Sequence, residues 1–368
     1  MRIVHLFWSL GFGGIETMLV NIANAQAAKG ADVYVFIINR LYEDTLISAL
    51  HPQVHLVLFN RKLGSHNPWF IFKLNQKLRQ INPKIIHIHR SELFNFIISR
   101  RLSREVALTL HDLPKGSVRR EPFYKRLLNK KHRMYTNVES INKIPHIYAI
   151  SQAVKDELLH LYGINSVVVN NGIIVSKFKQ RPAIPVHNTL KIVQVSRLEH
   201  DKKGQDLLIH AIAKLNGKAS VEFIGDGSSM EYLKNMAKEL HVEHSVRFLG
   251  KKDQNYVATH LCEYDLFVQP SRWEGFGLTV AEAMAARLPV LVSKGQGPAE
   301  VTCNERYGWL FENGNVDDLT MQIEYIYVHY DEVIQKAMKA LNYVKETYDV
   351  SITAHKYLEQ YRKNHIHK

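Results

Sequence analysis

The sequence predicts an α/β protein built from two doubly wound parallel sheets. Three observations carry that prediction: short apolar runs alternate with helical stretches, the alternation breaks once near the middle and restarts, and glycine-bearing turns follow several of the runs. Short strands alternating with helices read as βαβ units, which make parallel sheets covered on both faces. The length of 368 residues suits two domains at about 100–200 residues each.

In the first half the apolar runs fall at residues 3–8, 33–38, 54–59, 85–89, 106–110, 147–150 and 167–169. Residues 175–189 then hold Pro182, Pro185 and several charges with no hydrophobic period, which reads as a linker. The rhythm restarts at 191–195 and continues near 221–225, 246–249, 266–269 and 290–293. Residues 1–175 and 190–351 are therefore expected to form two Rossmann-like domains. Ligands of such sheets bind at the carboxyl ends of the strands, so the expected site is a cleft where the two sheets face each other.

Composition excludes several classes. No run of about 18 apolar residues is present that could cross a bilayer. The first eight residues lead into a polar turn without the apolar stretch of an export signal, and the two cysteines, Cys262 and Cys303, form no framework. A cytoplasmic location is expected. The net charge of +13 is uneven, with 23 Lys/Arg against 11 Asp/Glu in residues 1–170 and 25 against 24 in residues 171–368. Such asymmetry points to an anionic partner for the first half. Residues 119–135 supply a candidate: Phe123, Leu127 and Met134 form an apolar stripe while Lys125, Arg126, Lys130 and Arg133 decorate the rest. This basic amphipathic helix is expected to dock on an anionic membrane surface, peripherally on the inner face of the cytoplasmic membrane.

Two glycine turns carry the chemistry. After the first strand, Gly11-Phe12-Gly13-Gly14-Ile15-Glu16 opens a helix, and a strand, a glycine turn and a helix start make an anion site. A dinucleotide fingerprint is the rival reading, but its third glycine falls on Glu16, whose charge would repel a pyrophosphate. In the second half the run at 266–269 is followed by Pro270-Ser271-Arg272-Trp273-Glu274-Gly275-Phe276-Gly277-Leu278-Thr279 and a helix through Glu282. The backbone of Phe276, Gly277, Leu278 and Thr279 can meet a diphosphate, while Glu274 and Glu282 can accept hydrogen bonds from sugar hydroxyls. Positive charge comes from Arg197 and Lys203, in one loop after the restart strand, where charge-assisted bonds would strengthen as a leaving group gains charge. Gly225 and the Gly250-Lys251 pair end two further strands and could line a nucleotide pocket, and His111 closes a strand in the first half.

Taken in order, Gly13-Gly14-Ile15-Glu16, His111-Asp112, Ser151, Asn171-Gly172, Arg197 with Lys203-Gly204, Gly225-Asp226-Gly227 and the Glu-x7-Glu pair Glu274/Glu282 resemble the retaining family 4 glycosyltransferases of the GT-B architecture. The resemblance covers nearly the whole chain. It implies that Arg197 and Lys203 bind a donor diphosphate, that Glu274 holds hydroxyls of the transferred sugar and Glu282 the ribose, that Gly14 caps the phosphates, and that His111 sits against the sugar. It implies front-face transfer with retention, and a last helix near residues 352–362, within a segment 352–368, packing back on the first domain. The sequence departs from the family at Thr17, where arginine is frequent, and at Arg287, where glycine is usual.

No Asp-x-Asp occurs to hold a divalent cation on a diphosphate, so no metal is expected. No cofactor is implied either, since a nucleoside diphosphate sugar is a substrate. The expected partners are a nucleotide-sugar donor, expected to be a UDP-sugar, and a saccharide or lipid-linked saccharide acceptor. Two other readings fit parts of the sequence. A sugar-nucleotide epimerase of the same architecture would consume donor without acceptor. A nucleic-acid-binding protein would use the basic first half, but no recognition helix or stacking motif accompanies those charges, so nucleic acid is not expected as a partner.

Overall fold

The computed structural model describes residues 1–11, 13–111, 141–182 and 189–366. Asp112 and the basic segment 119–135 lie outside the described residues. The chain divides into two compact units, Met1–Gly172 with Val350–Lys368, and Ile173–Asp349.

The first unit holds a seven-stranded sheet in the order β3-β2-β1-β4-β5-β6-β7. Its strands are β1 Arg2–Phe7, β2 Asp32–Asn39, β3 His55–Arg61, β4 Ile85–Ile88, β5 Val106–Leu110, β6 His146–Ala149 and β7 Val167–Val168, and every pairing among them is parallel. The order reverses between β1 and β4, a switch point in a doubly wound sheet, so ligands are expected at the carboxyl ends there. The helix Val350–Ile366 belongs to this unit. It is held by Thr353, whose hydroxyl donates to the Asn170 carbonyl at 3.0 Å, and by the fully buried Tyr357 and Tyr361.

The second unit holds a six-stranded parallel sheet, β10-β9-β8-β11-β12-β13. Its strands are β8 Leu190–Val195, β9 Ala219–Ile224, β10 Val246–Gly250, β11 Leu266–Gln269, β12 Val290–Ser293 and β13 Trp309–Phe311. Leu208, Ile212, Val221, Phe223, Val268 and Leu291 are among the buried side chains of its core. No helix among the described residues is long and apolar enough to cross a membrane.

Of the stretch expected as a linker, residues 175–182 and 189 are described. The second unit begins at Ile173, and residues 173–182 are tied into it. Lys179 N–H donates to the Ala258 carbonyl at 2.9 Å and Arg181 N–H to that of Ala286 at 2.8 Å. The buried Arg181 guanidinium pairs with Asp265 at 2.6 Å. Val175 and Phe178 are buried beside these polar anchors, while Ser176, Lys179 and Gln180 are exposed. Arg287 keeps the left-handed backbone that glycine would adopt, at φ 57°. Its side chain donates from Nε to the Arg181 carbonyl at 2.6 Å, which offsets the cost of about 1–2 kcal/mol for a side chain in that conformation.

Candidate active site

At the carboxyl end of β11 the chain turns through Pro270–Gly277 into the helix Leu278–Ala285. Gly277 caps that helix at φ 94° with no side-chain hydrogen bond. The first bonds of the helix run from Val280 and Ala281 N–H to the Gly277 carbonyl, at 3.1 and 3.3 Å. The amides of Leu278 and Thr279 precede those bonds, so they stand at the positive end of the helix dipole. Phe276 contributes backbone alone, since its ring is buried edge-on against Tyr348 with centroids 5.5 Å apart.

The loop after β8 reaches the same turn. The short helix His200–Lys203 ends at Gly204, at φ 68°. A Cβ there would lie 1.9 Å from the Pro270 carbonyl oxygen, so only glycine allows this approach. The approach brings Lys203 Nζ onto Glu274 Oε2 as an ion pair, with the side chains 16% and 19% exposed. Glu274 is further placed by its N–H donating to Gln296 Oε1 at 3.1 Å, by Gly297 N–H donating to its carbonyl at 2.9 Å, and by Ser271 Oγ at 3.4 Å. Gln194 Nε2 donates to the Lys203 carbonyl at 3.0 Å.

Arg272, which the sequence reading left without a role, clamps the two loops. Its guanidinium pairs with both Asp206 oxygens at 2.8 and 2.7 Å and donates to the His200 carbonyl at 2.9 Å. Asp206 holds the Arg272 pKa above its ordinary value, ahead of the opposing effect of burial. An arginine next to a glycine-rich turn with an acid two residues beyond Gly204 is the signal that could have found it.

Glu282, one turn into the helix, is buried, and Gln254 Nε2 donates to its Oε1 at 3.0 Å. Burial pushes its carboxyl pKa up to about 7, against the opposite pull of Gln254 and Lys177. Arg197 stands apart: its side chain is 66% exposed and pairs with Glu199 at 3.1 Å. Gly225 N–H donates to the Gly250 carbonyl at 2.9 Å, which sets the Gly225 turn beside the exposed Lys251. The second unit thus brings Lys203, Glu274 and the Phe276–Thr279 turn together, and does not bring Arg197 onto them.

The remaining expected residues lie in the first unit. Gly13 caps the helix Gly14–Ala28, which carries Glu16 in its first turn. His111 follows β5. Burial, aided by the charge of Arg90, pushes its imidazole pKa down to about 3.

Two doubly wound units, one with an ion pair beside a glycine turn at a helix start, are the elements of a GT-B glycosyltransferase. Residues 12–177 match the family described as Glycosyltransferase Family 4, and residues 176–341 match Glycosyl transferases group 1. The chain belongs to this glycosyltransferase family. Among curated relatives, it is 24% identical over 267 residues to glycogen synthase of Mycobacterium tuberculosis, covering 70% of this chain and 60% of that one. It is 31% identical over 161 residues to the amylovoran biosynthesis glycosyltransferase AmsK of Erwinia amylovora, covering 41% of this chain and 39% of that one. These matches span less than two thirds of the relatives' lengths. Among solved structures, Anabaena HepE in complex with UDP and glucose superposes with a TM-score of 0.78 at 23% identity, over 98% of this chain and 99% of that one.

Proposed function

We propose that the chain is a retaining, metal-independent hexosyltransferase that moves a hexose or N-acetylhexosamine from a UDP-sugar to a hydroxyl acceptor in bacterial cell-envelope polysaccharide synthesis. The observation that carries this reading is the Lys203–Glu274 pair, set at the start of the helix Leu278–Ala285. It offers a cation and helix amides for a diphosphate, next to a carboxylate for sugar hydroxyls. The relatives named for polysaccharide synthesis and for a complex with UDP and glucose support the same substrate class.

In this reading Lys203 and the Leu278 and Thr279 amides hold the diphosphate, joined by Arg197. Glu274 accepts from hydroxyls of the transferred sugar and Glu282 from the ribose. Gly14 and His111 are the first unit's contributions, to the phosphates and to the sugar. The bond from the anomeric carbon to the phosphate oxygen breaks as the bond to the acceptor oxygen forms on the same face. The departing phosphate oxygen takes the acceptor's proton, and Lys203 stabilises the charge that develops there. A panel of nucleotide sugars, scored for thermal stabilisation and for product anomer, tests the reading. Stabilisation by UDP-sugars with a retained anomer is expected. Isomerisation of the donor without acceptor would establish an epimerase instead, and inversion would remove the front-face mechanism.

The acceptor is read as a lipid-linked saccharide reached from an anionic membrane surface on the cytoplasmic side. Besides the basic segment 119–135, the exposed Trp69 and Phe72 support this. They stand on the helix Trp69–Ile81, which also carries Lys73, Lys77 and Arg79. At roughly 1 kcal/mol per basic residue, changing Lys125, Arg126, Lys130 and Arg133 to Glu should weaken partitioning to anionic vesicles by about a thousandfold at low salt. Equal co-sedimentation of both proteins would remove this segment from the contact.

A further inference from the structure

The first sheet carries a line of imidazoles that the transfer reaction does not account for. His5 on β1 pairs in register with His87 on β4, and His89 follows two residues on; all three are buried. Gln26, fully buried on the helix Gly14–Ala28, sets its Oε1 2.8 Å from His5 Nε2. His5 Nδ1 lies 3.2 Å from His89 Nε2, and His89 Nδ1 lies 3.1 Å from His111 Nε2. His111 Nδ1 is buried and has no hydrogen-bond partner among the described residues. His87 runs separately, from Tyr361 at 2.6 Å to Thr109 at 2.7 Å.

One ring nitrogen from each of His5, His87 and His89 lies within 4.8 Å of the others, a spacing that could hold a metal ion. All six ring nitrogens already have hydrogen-bond partners, however, so the three rings are satisfied without an ion. Burial holds the imidazole pKa of His5 at about 4 and those of His87 and His89 well below the ordinary value. Each ring in the line is therefore neutral near pH 7 and carries one N–H.

A line of neutral imidazoles has one direction, set at its end. The Gln26 oxygen can only accept, so His5 donates from Nε2 and its Nδ1 is bare. That bare nitrogen must accept from His89 Nε2–H, which leaves His89 Nδ1 to accept from His111 Nε2–H. The other end of that amide, Gln26 Nε2, is buried and has no hydrogen-bond partner among the described residues.

We propose that Gln26, acting through His5 and His89, fixes the tautomer of His111, so that His111 presents a bare Nδ1 to accept a hydrogen bond from a hydroxyl of the transferred sugar. Gln26, His5 and His89 are positioning residues. The sugar contact rests on the reading of His111 given above; the tautomer does not.

Long-range nitrogen–proton NMR of the histidine-labelled full chain reads the tautomer directly, with His111→Gln used for assignment. His111 is expected with Nε2 protonated and Nδ1 bare. A protonated Nδ1, or stoichiometric zinc in the purified protein, would overturn the relay. Gln26→Met, close in volume, should turn His111 into a mixture of tautomers and lower kcat about tenfold with the donor KM little changed. An unchanged His111 signal in folded Gln26→Met would also overturn it, and the wild-type spectrum decides if that variant does not fold. UDP-glucose, UDP-galactose and UDP-N-acetylglucosamine are then added in turn. A sugar nucleotide that raises Tm should shift the Nδ1 signal more than UDP alone does. One that raises Tm without moving the signal would overturn the hydroxyl contact and leave the tautomer standing. A panel in which none binds would sink the transferase reading, with the tautomer still read from the free protein.

Discussion

At the carboxyl end of β5 the first unit sets a neutral imidazole backed by two more in line, whereas beyond β11 the second unit sets a lysine–glutamate pair inside a cage of hydrogen bonds. The contrast follows from what burial costs each group. Neutral polar groups can be fully buried once every donor meets an acceptor, and they then transmit hydrogen-bond direction over several residues. A charge pair loses more by desolvation, and Lys203 and Glu274 retain partial exposure. The first arrangement suits recognition of an uncharged hydroxyl, and the second suits an anionic leaving group.

The comparison breaks most readily at the charged end. Lys203→Ala should lower turnover by about a hundredfold or more, the scale on which loss of one donor to a developing oxyanion acts. It should also abolish most of the thermal shift produced by UDP. Because the pair is partly buried, this variant should lose some stability as well. Glu274→Gln preserves shape and should cost about tenfold in turnover. A folded Glu274→Gln enzyme with full activity would take that carboxylate out of the site.

Glu282 sharpens the contrast, since it is a charge-bearing group that burial treats as neutral. Its folded pKa of about 7 lies above the ordinary 4.5, so the folded protein keeps a proton that the unfolded chain releases. Stability should fall as pH rises through that window, by about 3 kcal/mol at most, and level off above it. Glu282→Gln should remove that fall in denaturant titrations. If the carboxylate accepts from the ribose, UDP should bind more tightly as pH rises through about 7 in the wild type alone. The smallest expected effect is none at all. UDP at 100 times its Kd should stabilise the protein by about 2.7 kcal/mol with magnesium or with chelator alike, and a shift lost in chelator would require a metal.

The fold was legible because βαβ repetition is a local signal; the runs at 106–110, 266–269 and 290–293 coincide with β5, β11 and β12. The strand Trp309–Phe311 was not, since three residues show no period. In the site, the residue types at Lys203, Glu274 and Glu282 were readable. Their partners were not: the pair Lys203–Glu274 joins positions 71 apart, and Gln254 meets Glu282 from another helix. Arg197 shares a loop with Lys203, but its visible partner is Glu199, two residues on. The histidine line had a signal that went unused, His87 in a strand otherwise made of isoleucine, with His89 just beyond its end.

The chain leaves the first unit after Gly172 and returns at Val350. Ile173 and Asp349, the two ends of the intervening segment, form a parallel bridge, and Ile173 N–H donates to the Tyr348 carbonyl at 2.9 Å. Residues 173–349 are therefore a cassette spliced into another domain, with its entry and exit already in hand contact. Joining its ends costs little loop-closure entropy, which makes circular permutation of the cassette, or its exchange between relatives, a natural route for recombination.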